Sequence, residues 1–319
     1  MSNRTVAVFP ASGGIGGSTV KHLLPRLQAN DLVFIARNPH KLEAESNAGA
    51  TIRKADYDDD SSFEHAFDGV HALFLISYAS VEHEYRSKRH RVAIDAAICS
   101  GVRYIFYGSL GYGGRPENKE SVPHVMQAHL DTERYLDECT RRHPGFEYTI
   151  IRGGLYSEPY PLYTSFFDPM NPVGTINVPH DGSGPGIAWV KRDELGEGTA
   201  ELIARFVKDP NVFRYRQQTL LLSGGKTLTL KETVNVLSEI AKRSVKIQKA
   251  TEEEFATLPQ TQQSFTCHGV NHSMVWTSTF EAIRQGEVDV CGSLVERAVR
   301  KGTGGFQGNN FGTVTVLKY

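Results

Sequence analysis

The chain has 319 residues, enough for one large domain or two modest ones with a sizeable core. Its 35 lysine and arginine residues balance 36 aspartate and glutamate residues to a net charge of −1, so no basic field favours direct binding of nucleic acid. No apolar run approaches the ~20 residues that span a membrane, no signal sequence opens the chain, and the four scattered cysteines form no CxxC motif, which together favour a cytoplasmic protein with free thiols.

Strand-like and helix-like segments alternate through the first half of the chain. The predicted strands are short apolar runs at Thr5–Phe9, Leu32–Ala36, Thr51–Lys54, Ala72–Ile76, Arg103–Tyr107 and Tyr148–Ile151. The predicted helices between them are Gly16–Gln28, Ser61–Phe67, Glu82–Ser100 and Val125–Arg142. This alternation predicts an α/β protein with a Rossmann-type, doubly wound parallel sheet over residues 1–155.

The amino-acid composition of the sequence changes after Ile151. Residues 156–183 are rich in proline, glycine and aromatic residues and are expected to form loops that line a pocket. Regular elements are predicted again at Asp193–Lys208 (helix), Thr219–Leu222 (strand), Leu230–Arg243 (helix) and Val245–Ile247 (strand), and a capping box at Thr251 opens a further helix. Residues 156–319 therefore predict a smaller α/β substrate-binding lobe with some segments returning to the main sheet, and a loose tail at Gly302–Asn310.

A glycine-rich turn between the first strand and the first helix is the strongest motif. Such a turn presents backbone N–H groups and a positive helix end to a pyrophosphate. A lone glycine cluster can be a simple turn, but this one lies between a strand and a helix in a chain with further strand–helix units, which favours dinucleotide binding. A proline occupies the place of the usual first glycine, so the later residues are expected to supply the phosphate donors. The candidate residues are Pro10, Ser12, Gly13, Gly14, Ile15 and Gly16.

The end of the second strand indicates which cofactor binds. Arg37 follows this strand and no acidic residue is at hand, which favours the 2′-phosphate of NADP(H) over the free ribose of NAD, although a solvated basic loop is the alternative. After the third strand, Asp56 and Tyr57 could meet the adenine, and Ser77 after the fourth could line the path from adenosine to phosphate. These two expectations, for the adenine and for the path to the phosphate, rest only on the position of the residues at strand ends.

Several segments together resemble the NmrA-like branch of the atypical short-chain dehydrogenases, and within it the type-2 NADPH:quinone oxidoreductases and their fungal relatives. The matching segments are Val8–Gly16, Ala36–Pro39, Ala55–Tyr57, Leu75–Ser77, Gly101–Leu110, Ala128–Leu136 and Tyr148–Glu158. The resemblance implies NADP(H) along the strand ends, with Ser109 among its contacts and the nicotinamide near Gly154, Leu155 and Tyr156.

The expected chemistry is unusual because the Tyr-x-x-x-Lys pair of ordinary short-chain dehydrogenases is absent from the sequence. The resemblance to the quinone reductases includes a histidine at the position of His129. His129 is therefore a candidate for contact with the cofactor or for proton donation. The alternative is that it is a purely structural histidine. Tyr112 and Tyr156 are candidate proton donors or stacking groups, against a purely structural role. Pro159–Phe167 is the candidate substrate wall, against core packing.

These features predict an NADP(H)-dependent oxidoreductase that acts on a quinone or a conjugated carbonyl of a small aromatic metabolite. The resemblance to fungal relatives adds a role in fungal secondary metabolism as an expectation. The alternative is a non-catalytic NADP(H)-binding redox sensor of the NmrA type, which the missing tyrosine–lysine pair favours. No membrane contact is expected, and no metal site, since Cys267, His268 and His272 lack a second ligand pair. Monomer and homodimer both remain open.

Overall fold

The computed structural model describes residues 4–291. Its first half runs through β1 (Val6–Phe9), α1 (Gly14–Leu23), β2 (Leu32–Ala36), α2 (Glu43–Asn47), β3 (Thr51–Lys54), β4 (Ala72–Ile76), α3 (His83–Cys99), β5 (Tyr104–Leu110), α4 (His124–Arg142) and β6 (Glu147–Gly153). The second half continues through β7 (Thr175–Val178), α5 (Arg192–Lys208), β8 (Gln218–Leu222), α6 (Leu230–Ala241), β9 (Lys246–Lys249), α7 (Glu252–Ala256), α8 (Pro259–Ser264), β10 (Thr266–Cys267), β11 (Val270–Asn271), α9 (Ser273–Trp276) and α10 (Ser278–Arg284).

The main sheet has seven strands among the described residues, in the order β3-β2-β1-β4-β5-β6-β8. All neighbouring strands in it are parallel. The order reverses between β1 and β4, and such a switch point opens a crevice at the carboxyl ends of the strands. The predicted doubly wound Rossmann-type fold is confirmed.

Both faces of the centre of the sheet are buried, which explains why β1, β2 and β4 are continuous apolar runs, whereas the edge strand β3 is polar and largely exposed. Along β1, Val6 and Val8 belong to one core, with Ala7 and Phe9 in the other. Helices α1 and α5 cover the first face, and α3 and α4 cover the second. The crevice therefore opens where α1 and α5 begin on one side and α4 begins on the other.

Some predicted boundaries differ from the structure for local reasons. Helix α1 ends at Leu23 rather than near Gln28, because Pro25 cannot donate a helical hydrogen bond. The expected helix Ser61–Phe67 is reduced to a single 3₁₀ turn at Asp60–Phe63. The Asp59 carboxylate accepts bonds from the backbone N–H and the hydroxyl of Ser61, and such local side-chain bonds compete with a helix.

The smaller lobe consists of β7, β9, α6 and α7 to α10. The expectation of loops throughout residues 156–183 was wrong at β7, which pairs in parallel with β9. Ile176 and Val178 are buried while Thr175 and Asn177 are exposed, a period of two that indicates a strand. The helix opened by the capping box at Thr251 is confirmed as α7.

Strand β8 comes from beyond residue 155 and joins the main sheet beside β6, so a later segment does return to that sheet. The boundary between residues 155 and 156 stays a prediction, and the tail Gly302–Asn310 lies outside the described residues. Within residues 4–291, no helix is both long and apolar enough to cross a membrane.

Candidate functional site

The glycine turn places the beginning of α1 at the mouth of the crevice. Gly13 and Gly14 have φ values of 75° and 52°, in the left-handed region that favours glycine. A Cβ atom added at either residue would meet nothing within 4 Å, so open space lies in front of the turn. The first N–H groups of a helix have no acceptor within it, and here they belong to Gly14, Ile15 and Gly16. The turn can therefore receive an anion.

Pro10 leaves these donors untouched. The Phe9–Pro10 peptide bond is cis, and the next N–H group, that of Ala11, is used in a bond to the Ile35 carbonyl at 2.7 Å. The carbonyl oxygen of Pro10 would lie 2.0 Å from a Cβ atom on Gly16, so only glycine permits this approach of helix to strand. Pro10 and the hydrogen-bonded amide of Ala11 therefore both come before the amides of Gly14, Ile15 and Gly16 in the chain.

An opening of about 290 Å³ lies beside the glycine turn. Ser12 and Gly13 line it together with Lys41, a cation of the basic loop after β2 that was not among the candidate site residues. Arg37 lies at the end of β2 with 68% of its side chain exposed, and its Nε is 3.9 Å from a carboxylate oxygen of Asp56. Lys41 therefore lies beside the turn together with the acidic Glu45, and Arg37 lies at the neighbouring strand end, where a 2′-phosphate is usually bound.

The neighbouring candidate Tyr57 is a core residue. Its side chain is 3% exposed, packs on Phe9 and donates a bond to the Ile76 carbonyl at 2.6 Å. Burial raises the pKa of its hydroxyl well above the usual value. Asp56 alone of the predicted adenine pair has a partly exposed side chain, directed to Arg37.

The main cavity is central in position rather than the larger of the two openings: it has a volume of about 60 Å³ and lies at the carboxyl ends of the central strands and the start of α1. It brings together five residues that the sequence predicted, namely Ile15, Ser77, Ser109, His129 and Tyr156. The remaining lining residues are Phe74, Ile76, Gly108, Leu110, Ile151, Gly153, Leu195 and Thr199. No acidic residue, lysine or arginine is among these lining residues, so a ligand here meets apolar surface and a few neutral polar groups.

Tyr156 is the tyrosine of this cavity. Burial raises the pKa of its hydroxyl to about 12, with an opposing effect from the Arg192 guanidinium, which lies 5.6 Å from the centre of its ring. Within residues 4–291 its hydroxyl has no hydrogen-bond partner. Tyr156 is thus a protonated hydroxyl, open to a ligand and able to donate.

His129 forms part of a buried polar network behind the cavity wall. Its Nε2 is 2.7 Å from the Arg86 guanidinium and its Nδ1 is 3.1 Å from the Tyr107 hydroxyl. Burial and then the positive charge of Arg86 hold the pKa of His129 well below its usual value. His90 lies in the same network, and its Nδ1 is 2.8 Å from the Thr132 hydroxyl. His129 is therefore a neutral side chain with both nitrogens occupied, which disfavours proton donation from it.

A buried ion pair supports the wall at Ser109. The Ser109 hydroxyl donates to Glu133 at 2.8 Å, and the same carboxylate accepts two bonds from Arg152, at 3.0 and 2.7 Å. Arg152 also donates to the carbonyls of Arg115 and Asn118, in the loop after β5. One charge pair thus fixes strand β6, helix α4 and this loop relative to each other.

The remaining candidates lie outside both openings. Tyr112 is fully buried in the core of the smaller lobe, and its hydroxyl is 2.9 Å from that of Tyr163. Gly154 donates to the Leu222 carbonyl, and a Cβ atom on it would be 2.7 Å from that of Ser223. Leu155 is 4% exposed and belongs to the same core as Tyr112.

Part of the candidate substrate wall, Pro159–Phe167, packs in the protein core, while its other residues are partly exposed. Tyr163 and Phe167 are buried in two separate cores. His268 lies in the hairpin β10–β11 and forms a pair with Glu82 at 2.8 Å. Among the described residues, no group of three or more histidine, cysteine or acidic side chains could hold a metal ion.

The sequence reasoning missed Arg86 and the pair of Glu133 with Arg152. A signal for Arg86 was available in helix α3. Ile94, His90 and Arg86 are spaced four residues apart and therefore lie on one face of the helix. This buried face becomes polar toward the N-terminus of α3. Such a change on a core-facing stripe marks a functional candidate.

Known proteins are similar to this chain over most of its length. A family model described as the NmrA-like family matches residues 2–303. The NmrA-like family domain-containing oxidoreductase flvB of Aspergillus flavus is 29% identical over 248 residues, covering 77% of this chain and 74% of its own. Quinone oxidoreductase 2 of Escherichia coli is 30% identical over 251 residues, covering 79% of each chain.

Solved structures share the fold. The triphenylmethane reductase of Citrobacter sp., complexed with NADP(H), matches with a TM-score of 0.68 and 23% identity, covering 92% of this chain and 95% of its own. The NADPH-dependent quinone oxidoreductase of Escherichia coli, complexed with NADPH, matches with a TM-score of 0.68 and 24% identity, covering 94% of this chain and 100% of its own.

Proposed function

This chain belongs to the NmrA-like family, and from that premise we propose that it is an NADP(H)-dependent oxidoreductase that reduces a quinone or a conjugated carbonyl of a small aromatic compound. The observation that carries the proposal is the main cavity, which is lined by Ile15 at the beginning of α1 and by Tyr156, a tyrosine whose hydroxyl has no hydrogen-bond partner among the described residues. Relatives named as oxidoreductases favour the enzyme over the non-catalytic sensor.

The chain has suitable groups for each part of NADPH. The amides of Gly14 and Ile15 suit the pyrophosphate, since a helix N-terminus with open space before it favours an anion. Arg37 and Lys41 suit the 2′-phosphate. The main cavity, with its apolar lining and Ser109 at its wall, suits the nicotinamide.

When bound, NADPH supplies a hydride, and the protein has to orient the acceptor and manage one proton. Hydride addition leaves a negative charge on the acceptor oxygen. Tyr156 can donate its hydroxyl proton to this oxygen and regain one from water. A quinone makes the smallest demand on this donor because its reduced oxygen is a phenolate, which is far less basic than an alkoxide. The cavity therefore favours quinones and conjugated carbonyls over simple ketones.

Turnover separates the enzyme from the sensor. Oxidation of NADPH by the purified full chain is followed with a panel of quinones, anthraquinones and conjugated aromatic ketones, the last two covering metabolites of the kind that fungi make. We expect turnover with at least one quinone. NADPH binding is measured in parallel by thermal unfolding, where a ligand at 100 times its Kd adds about 2.7 kcal/mol of stability. Stabilisation by NADPH without turnover on any acceptor would reject the enzyme and leave the sensor.

A further inference from the structure

Arg86 is a buried cation without a carboxylate partner among the described residues. Its side chain is 2% exposed. Its guanidinium donates to the carbonyl of Tyr78 at 3.1 Å, to the carbonyl of Val125 at 2.8 Å and to His129 Nε2 at 2.7 Å. Burying a charge is costly unless it is paired, so retaining one here calls for an explanation.

The donors of Arg86 determine the protonation of His129. A guanidinium has only N–H donors, so Nε2 of His129 must accept and cannot carry a proton. The proton of the neutral ring is then on Nδ1, which donates to the Tyr107 hydroxyl. Tyr107 itself is fully buried in the core. Neither nitrogen of His129 is left to serve a ligand in the cavity.

A neighbouring imidazole is fixed in the same way. The backbone N–H of Tyr78 donates to His90 Nε2 at 2.8 Å, so His90 also carries its proton on Nδ1 and donates to Thr132. The Thr132 hydroxyl in turn donates to the Ala128 carbonyl. The Tyr107 hydroxyl, 3.3 Å from His90 Nδ1 and 3.1 Å from His129 Nδ1, joins the two imidazoles into one network of α3, α4 and β5.

We propose that Arg86 is a positioning residue that locks His129 as the neutral Nδ1–H tautomer and thereby withholds it as a proton donor to the acceptor. Besides the hydroxyls of Ser77 and Thr199, which are much weaker acids than a phenol, the cavity is left with Tyr156 and water as its proton sources. This restricts efficient reduction to acceptors whose reduced oxygen is weakly basic, such as quinones. The restriction on the acceptor rests on the proposed function. The assignment of the His129 tautomer does not depend on it. The titratable or charged groups around His129 are Arg86 and His90 of α3, Tyr107 of β5, Glu133 of α4 and Arg152 of β6.

The tautomer can be measured without turnover. Long-range ¹H–¹⁵N spectra of the full chain labelled at histidine report which ring nitrogen carries the proton, and His129→Gln assigns the signal. We expect an unprotonated Nε2 and a protonated Nδ1 that do not change between about pH 5.5 and pH 8. A proton on Nε2, or titration of His129 within this range, would overturn the proposal whatever the activity of the enzyme.

Arg86→Met tests the positioning role directly. Without the donor to Nε2, we expect His129 to titrate, and the kcat/KM for a conjugated ketone relative to a quinone to rise about tenfold near pH 6, since a general acid contributes about 10²-fold or more. Arg89→Met is the matched control. Arg89 is a nearly buried arginine of the same helix that pairs with Asp60 and has no bond to His129.

The two variants distinguish positioning from mere stability. A folded Arg86→Met protein whose His129 signals stay unchanged would overturn the proposal, as would an equal change in acceptor preference in Arg89→Met. Should Arg86→Met fail to fold, the spectra of the unmodified chain decide. A wild type with the expected tautomer but no reductase activity would reject the proposed function and leave the role of Arg86 in fixing His129 intact.

Discussion

At the scale of single residues, the polar groups of the main cavity differ in whether their hydrogen bonds are already used. Ser109 donates to Glu133, and His129 is occupied at both nitrogens by Arg86 and Tyr107. Tyr156 alone among these three has a hydroxyl without a partner in the described part of the chain. The proton chemistry of the cavity should therefore depend on Tyr156.

Tyr156→Phe removes that hydroxyl and keeps the ring. We expect kcat to fall by about tenfold with a quinone and by about 10²-fold or more with a conjugated ketone, because the more basic reduced oxygen needs the donor more. The affinity for NADPH, measured by fluorescence titration, should change little. Tyr163→Phe, which removes a hydroxyl buried in the smaller lobe, is the control for loss of a tyrosine hydroxyl. Equal losses with both acceptors would argue against proton donation by Tyr156.

The choice between NADPH and NADH is also a residue-scale property. Arg37 is exposed, and within residues 4–291 its one charged contact is the 3.9 Å approach to Asp56, so its guanidinium is available to a 2′-phosphate. We expect Arg37→Ala to weaken NADPH binding about tenfold or more and to leave NADH binding unchanged, because a hydrogen bond to a charged group contributes about 1.5–3 kcal/mol. Calorimetric titration with each nucleotide measures both. Equal affinities for the two nucleotides in the wild type would contradict the assignment.

At the scale of elements, the contact of α1 with the end of β1 positions the phosphate-binding amides. Gly16 lies against the Pro10 carbonyl, where a Cβ atom would be only 2.0 Å away. Gly17, one residue on, has its nearest neighbour at 3.9 Å, which is an ordinary contact. Substituting alanine at these two adjacent helical glycines should therefore have opposite effects on stability.

Gly16→Ala should lower the free energy of unfolding by about 1–3 kcal/mol, as overpacking in a tight contact does, and should weaken NADPH binding because the helix must shift. Gly17→Ala should leave stability unchanged or raise it by up to about 1 kcal/mol, since alanine favours the helix. Urea unfolding and NADPH titration of both variants measure these effects. Similar behaviour of the two variants would show that the approach of α1 to β1 does not set the turn.

The central strands of the main sheet were predictable because burial on both faces makes each of them a short apolar run between turns, and the polar edge strand β3 followed from its place in the alternation of strands and helices. Strands β2, β3 and β4 have the predicted bounds. The site was less predictable. Ile15 and Tyr156 could be placed near each other from strand ends, whereas the partner of His129 comes from another helix, and a tertiary contact of this kind leaves no spacing in the sequence. The aromatic run before Phe167 shows the same limit, since composition does not say whether a ring faces a ligand or a core.

At the scale of the whole molecule, folding buries the two imidazoles of the network around Arg86 in neutral form. His90 is fully buried and His129 is 3% exposed. Burial, followed by the charge of Arg86, lowers the pKa of both well below the ordinary histidine value. The unfolded chain exposes both rings to water and binds protons at a higher pH than the folded protein does. Stability is therefore linked to pH through these two residues.

The free energy of unfolding should fall as pH drops below about 6.5. Above that pH both states carry neutral rings and the two histidines contribute nothing; below it only the unfolded state takes up protons, at a cost approaching 1.4 kcal/mol per pH unit for each ring. His90→Gln keeps an amide that can accept from Tyr78 and donate to Thr132 but cannot titrate. Urea unfolding between about pH 5 and pH 8 should give this variant a slope smaller by up to 1.4 kcal/mol per pH unit. Parallel curves for the wild type and His90→Gln would mean that His90 is not held neutral in the folded protein.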